Sequence, residues 1–305
     1  MNYCLYYNGP NMLYLDKADE IRIDYRPQDE TLKEFLQIYK DKHIYITIKD
    51  GLFDKTETLK SFKELKNDAE VPNNWTIQVS IRSCIDSDNL TTDKVKIDAI
   101  KECCHNFMFI EPAYSWEELY FTLSQGVSDI YIGGELGFSL AKVKKQCKNY
   151  GSPRIRTIAN VISGIISQNE QEQYHGFFIR PEDVQFYENL IDSIEVYGET
   201  QNAQEAEFRA YAITHTWFGN LNELIYDLTV DIDNRGLLQQ YGKYRSKCER
   251  RCLKGGFCDL CKSMANLSKN LIEAGAVVTP LPKMKKQEQE EIMNSDELEY
   301  KSKGE

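Results

Sequence analysis

Four of the nine cysteines in this 305-residue chain lie close together, at Cys248, Cys252, Cys258 and Cys261. Their spacing is C-x3-C-x5-C-x2-C, and such short gaps allow four thiolates to converge on one metal centre. Basic residues around them favour the thiolate over the thiol. A four-cysteine iron–sulfur cluster and a structural zinc site both fit this spacing. Four buried thiols without a metal are the third alternative.

Composition limits the class of protein. The hydrophobic fraction of 41% and the aromatic fraction of 11% suit a packed core. No apolar run is long enough for a membrane span, and the N-terminus lacks a basic region followed by an apolar run. We therefore expect a cytoplasmic protein whose cysteines are thiols or metal ligands rather than disulfides.

The charge of the chain bears on its partners. A net charge of −11 argues against a protein that coats a nucleic-acid backbone, and favours a small-molecule or protein partner. A local basic groove for an RNA substrate stays open, with the basic residues around the cysteines as its source. The sequence does not predict an oligomeric state.

Strand and helix patterns alternate from Glu20 onward. This alternation implies parallel strands joined by right-handed crossovers. Eight such units predict an α/β fold, a (β/α)8 TIM-like barrel over residues 1–200. An open doubly wound sheet is the alternative. Predicted strands lie at residues 20–25, 43–48, 75–81, 106–110, 129–132, 154–158, 176–179 and 193–197, and a further short strand lies at 3–7.

The pattern changes after Gly198 to helices without strands. We therefore predict a helical extension over residues 201–282 that carries the four-cysteine metal site. Residues 283–305 are polar and charged, which predicts a disordered segment or a solvated helix.

Barrel active sites lie at the carboxyl ends of the strands. Arg180 directly follows a predicted strand and precedes Pro181, so its guanidinium could bind an anionic group with two hydrogen bonds. An ion pair with Glu182 or Asp183 is the alternative for Arg180. Arg180 and Glu182 are the predicted catalytic residues, and Glu135, Asn160 and Glu199 are the predicted substrate-binding residues. The same ring of strand ends contains Asp24, Arg26, Lys49, Asp50, Arg82 and Glu111.

Several pieces of the sequence follow one another in a recognisable order. They are Phe178–Asp183 (FIRPED), Tyr187-Glu188, Ile191–Ile194 (IDSI), Gly219–Leu224 (GNLNEL), Asp233–Arg235 (DNR) and the four cysteines. This order resembles the collagenase-like peptidase U-32 family, over roughly residues 125–265. No motif of a serine hydrolase, a zincin or a phosphate-binding loop accompanies it.

The resemblance implies a (β/α)8-like barrel with an iron–sulfur cluster on cysteines, and it favours a 4Fe–4S cluster over structural zinc here. It also implies oxygen-independent hydroxylation of an RNA pyrimidine or a quinone-precursor ring. The sequence departs from the family at two points. Glu195 and Glu199 replace the basic residues of a K-x-x-G-R pattern, which puts an anion contact in doubt, and the gap between Cys252 and Cys258 is longer.

Three hypotheses follow. The first is an iron–sulfur barrel enzyme that hydroxylates an RNA base or a small aromatic substrate. The second is a non-catalytic or repurposed barrel that binds a protein or small ligand and holds a structural zinc. The third is a peptidase, which rests on the family name alone.

Overall fold

The computed structural model describes residues 1–26, 31–49, 52, 56–84, 93–163, 176–217, 219–228, 234, 237 and 241–248, with only the backbone at 241 and 244. Cys252, Cys258 and Cys261 lie outside the described residues, as does the segment 283–305. The predicted metal site can therefore be placed only through Cys248.

Eight parallel strands form one sheet in the order β5-β4-β3-β2-β1-β8-β7-β6. The outer strands β5 and β6 are joined by backbone hydrogen bonds from Ser128 to Phe107 (3.0 Å) and from Ala113 to Tyr131 (2.8 Å). The strands thus form the nearly closed barrel that the alternation predicts. They are β1 (Asn2–Tyr6), β2 (Glu20–Asp24), β3 (His43–Ile48), β4 (Trp75–Val79), β5 (Phe107–Phe109), β6 (Asp129–Tyr131), β7 (Arg154–Ile158) and β8 (Ser193–Glu195).

The prediction of a strand at residues 176–179 is wrong. In that segment Phe177 forms an isolated antiparallel bridge with Ser163 and no ladder. The remaining barrel strand is β1, which pairs in parallel with β2 and β8, so that Cys4 lies beside both Glu20 and Glu195. A short apolar run is buried equally well in a strand and in an irregular segment, so periodicity alone could not separate the two.

Helices cover the outside of the barrel and continue past β8. Ser115 caps the helix that begins at Trp116 through a capping box with Glu118. Within the described residues, no helix is both long and apolar enough to cross a membrane. The α-helices of the described residues are α1 (Thr31–Ile38), α2 (Thr56–Asn67), α3 (Lys94–Cys103), α4 (Trp116–Ser124), α5 (Leu140–Cys147), α6 (Gln201–Arg209), α7 (Leu221–Leu224) and α8 (Tyr241–Arg245).

The two faces of the strands differ in chemistry. Successive strand residues point to opposite faces. Apolar residues such as Ile21, Ile46 and Ile77 share a buried cluster with Leu36 of α1 and Phe62 of α2, so they form the layer between strands and helices. The alternate residues face the lumen of the barrel, and most of these are polar or charged.

Candidate functional site

A pocket of about 350 Å³ opens at the carboxyl ends of β1 and β2. Active sites of (β/α)8 barrels lie on this side, and a pocket of this volume suits a small molecule. Its walls carry four aromatic rings, one carboxylate and one guanidinium: Tyr6, Tyr7, Tyr25, Phe35, Asp24 and Arg26.

The rings of the pocket are fixed by neighbours. Tyr7 meets Phe35 of α1 edge to face, with 4.9 Å between ring centroids. Tyr25 packs on Phe62 of α2 at 4.8 Å. The guanidinium of Arg22 lies 5.3 Å from the centroid of the Tyr6 ring. Such ring and cation contacts hold the aromatic walls in place before any ligand arrives.

The polar groups of the pocket form a short chain. Asp24 Oδ2 lies 2.8 Å from Nζ of Lys49. Burial, together with a hydrogen bond to the charged Asp24 carboxylate, raises the pKa of Tyr6 to about 12, although Arg22 and Arg26 act in the opposite direction. Tyr6 therefore stays protonated near neutral pH.

Charged side chains fill the upper lumen next to this pocket. Glu195 of β8 pairs with Arg22 and accepts a hydrogen bond from the hydroxyl of Tyr131. Arg156 of β7 is fully buried, with its guanidinium carbon 3.4 Å from the centroid of the Tyr45 ring and NH2 3.6 Å from Oε2 of Glu195. Layers of branched apolar residues fill this space in most such barrels.

The lower lumen is organised around Glu20 of β2. Its carboxylate pairs with Arg154, lies 3.5 Å from NH2 of Arg156 and accepts a hydrogen bond from Ser193 Oγ at 2.6 Å. Burial alone would raise the pKa of Glu20, but the two arginines and these hydrogen bonds outweigh burial and lower it. Glu20 is therefore a buried carboxylate that stays ionised.

The positive and negative charges of the lumen balance. Glu20, Asp129 and Glu195 face Arg22, Arg154 and Arg156, and each acid pairs with at least one of the arginines. Buried charges persist only when paired in this way, because desolvation is costly.

This lumen network was not predicted, although the sequence carries a signal of it. Charged residues stand at alternate positions of β2 (Glu20, Arg22) and β7 (Arg154, Arg156), which places them on one face. Glu195, which takes a basic position of the family pattern, is an internal partner of Arg22 and Arg156.

The predicted catalytic pair faces the C-terminal extension. Arg180 is buried, and its Nε and NH2 donate to the two carboxylate oxygens of Asp183 at 2.6 and 2.8 Å. Its NH1 donates to Asn234 Oδ1 at 3.0 Å. Glu182 Oε1 accepts from the backbone N–H of Trp217 (2.7 Å) and from Asn234 Nδ2 (2.8 Å). The structure thus contains the ion pair with Asp183 that the sequence offered as the alternative for Arg180.

The three predicted substrate-binding residues lie apart from the pocket lining. Asn160 is buried. Its Nδ2 donates to the carbonyl of Tyr197 (2.7 Å) and to Oε2 of Glu207 (3.1 Å), and its Oδ1 accepts from the backbone N–H of Tyr197 (2.8 Å). Glu199 and Glu135 are exposed. Asn160 thus fixes the chain beyond β8 against α6, and a substrate role for the three residues stays a prediction.

Of the predicted metal ligands, Cys248 is half-buried and packs against the apolar cluster around β6 and β7. The helix before it is anchored to the barrel. Gly242 N–H donates to Asp183 Oδ1 at 3.1 Å, and buried Arg245 donates to the carbonyl of Gly176 and lies 4.8 Å from the centroid of Phe138. Within the described chain, no three His, Cys, Asp or Glu side chains form a group that could hold a metal.

No protein-family model matches the chain, and no curated protein matches it. Among solved structures the chain is similar to a 4-hydroxy-2-oxoglutarate aldolase/2-deydro-3-deoxyphosphogluconate aldolase from TTHB1, with 11% identity and a TM-score of 0.28 over 65% of this chain and 94% of that chain. A TM-score of this size is too low to bear on the fold or the activity of this chain.

Proposed function

We propose that the chain is an iron–sulfur-binding barrel protein that hydroxylates an aromatic ring, of a small molecule or an RNA base, without O2, the oxygen atom coming from an oxygenated organic donor that is itself reduced by two electrons. The observation that supports this most is the Asp183 clamp, which we define as Arg180, Asp183, Asn234 and Gly242. In it, the Arg180–Asp183 ion pair holds the N-terminus of α8, six residues before Cys248. The clamp thereby fixes the entry to the cysteine stretch on the barrel.

The donor set suits the proposed group. Four cysteines with basic neighbours are the usual ligands of a 4Fe–4S cluster, which supplies one-electron transfer when bound. Cys248, the member of the set that is described, is half-buried beside an apolar cluster. Such surroundings limit solvent access to a metal centre, which tunes its potential.

The pocket at the carboxyl ends of β1 and β2, which we call the mouth pocket, supports an aromatic substrate. Its four rings and its volume of about 350 Å³ suit one or two fused rings. A base within RNA would have to leave its stack to enter. The net charge of −11 favours the small molecule over the RNA.

Metal content tests the proposal. We expect protein purified without oxygen to be coloured, with iron and sulfide in matching amounts, and to lose both in Cys258→Ser. Cys147→Ser is the matched control, because Cys147 is a buried cysteine at the end of α5 and is not one of the four predicted ligands. A colourless protein with one zinc per chain would exclude the redox function.

A second candidate is a non-catalytic barrel with structural zinc that binds a protein or a small ligand. The observation in its favour is that Arg180 and Glu182 both hold the C-terminal extension through Asn234. RNA modification profiles with and without the gene separate the two functions for an RNA substrate. A modification that wild type restores and Cys258→Ser does not restore supports the enzyme.

A further inference from the structure

The two charged residues of the mouth pocket, Asp24 and Arg26, differ in whether they have an ion-pair partner among the described residues. Asp24 is paired with Lys49 at 2.8 Å and with the hydroxyl of Tyr6. Arg26 is exposed, lines the same pocket, and has no carboxylate within ion-pair distance in the described part of the chain. The pocket thus presents an unpaired guanidinium of the described residues to a ligand, whereas its carboxylate already has a cationic partner.

We propose that this pocket binds a planar aromatic molecule that carries one anionic group, with the ring against the aromatic wall and the anion on Arg26. The inference takes from the proposed function only that the barrel mouth receives an aromatic substrate. It adds the charge of that substrate and the residue that selects it.

The ring site is preorganised. Tyr7 is held by Phe35, Tyr25 by Phe62, and Tyr6 by the guanidinium of Arg22. Binding a flat ring therefore costs little side-chain entropy, and a flat ring can stack on a fixed aromatic side chain more closely than a non-planar molecule of equal size can.

The Arg26 guanidinium has the geometry and the charge to bind an anionic group. A guanidinium donates two parallel hydrogen bonds to a carboxylate or a phosphate. Arg26 follows β2 by two residues, so its backbone is held near the strand while its side chain reaches solvent. A carboxylate and a phosphate share this chemistry, and two probes separate them.

The test is calorimetric titration of the full chain with 2-naphthoate, 2-naphthyl phosphate, neutral 2-naphthol and the saturated decahydro-2-naphthoate. We expect at least one planar anion to bind more tightly than the planar neutral molecule and the non-planar anion. Arg26→Gln should weaken the planar anion about tenfold or more and leave 2-naphthol unchanged. Tyr7→Leu, which removes one wall, should weaken all planar probes.

Lys148→Gln is the matched control, because Lys148 is an exposed cation directly after α5 and does not line the pocket. The inference is overturned if no planar anion binds, if Arg26→Gln leaves its affinity unchanged, or if Lys148→Gln weakens it equally. Iron and sulfide assays on the same samples keep the two proposals apart. An intact cluster without binding removes this inference, and binding without a cluster removes the iron–sulfur function.

Discussion

The guanidinium carbon of Arg156 lies 3.4 Å from the centroid of the Tyr45 ring inside the barrel lumen. Both side chains are fully buried. Glu20 and Glu195 lie 3.5 and 3.6 Å from NH2 of Arg156, so two carboxylates and one ring face share the arginine charge. These four side chains therefore depend on one another, because the loss of one charged member leaves buried charges unpaired.

We predict that Arg156→Met lowers the free energy of unfolding by about 3–5 kcal/mol, the usual cost of removing one partner of a buried ion pair. Methionine fills similar volume, so the lost charge dominates over a cavity. Urea unfolding measures the effect as a lower midpoint with little change in slope.

Arg82→Met is the control, because Arg82 is exposed and a surface substitution changes stability by only about 0.5 kcal/mol. If the free energy of unfolding of Arg156→Met were within about 1 kcal/mol of the wild-type value, the lumen charges would not stabilise the barrel.

Acid should weaken the barrel through Glu20. The folded-state pKa of Glu20 is below its ordinary value of 4.5, because Arg156 and Arg154 outweigh the effect of burial. Its contribution to stability is complete above pH 4.5 and is lost as the pH falls through the lower folded pKa. Glu20→Gln should be less stable than wild type at neutral pH. Below pH 4.5 its free energy of unfolding should fall less steeply with pH than that of wild type.

The measurement is the free energy of unfolding from about pH 7 down to about pH 3. Glu117→Gln, at an exposed position in the first turn of α4, serves as the control and should keep the wild-type slope. An equally steep slope in Glu20→Gln would mean that other groups cause the acid sensitivity.

The sequence predicts the barrel because strand and helix periods are local signals. The Ser115 cap and the strands at His43–Ile48 and Arg154–Ile158 follow from a few neighbouring residues each. The pairings that define the site are not local. Arg22 meets Glu195 across 173 positions, and Arg180 meets Asn234 across 54, so no pattern in either neighbourhood specifies the partner.

The Asp183 clamp should control the C-terminal extension. A Cβ atom on Gly242 would lie 2.3 Å from Cγ of Asp183, so Gly242→Ala must displace the carboxylate or α8. Asp183→Asn removes the charge that pairs with buried Arg180. We expect both variants to speed amide hydrogen exchange in residues 241–248, and Asp183→Asn to destabilise the chain by about 3–5 kcal/mol.

Glu188→Gln is the control for the clamp, since Glu188 is an exposed acid on the same connection between β7 and β8. If Gly242→Ala exchanged as slowly as wild type, the hydrogen bond from Gly242 to Asp183 would not hold the extension.

Metal removal should make Cys248 reactive while the buried Cys147 stays protected. Burial raises the pKa of Cys147 to about 11, and burial likewise raises the pKa of Cys4, so both react slowly with iodoacetamide in the folded chain. Cys248 is half-buried, and metal ligation would block its thiolate. We therefore expect a chelator under anaerobic conditions to speed the alkylation of Cys248, read by peptide mass spectrometry, while Cys147 stays unlabelled. Equal labelling of Cys248 with and without chelator would show that it is not a ligand, and simultaneous labelling of Cys147 would show that the chain had unfolded instead.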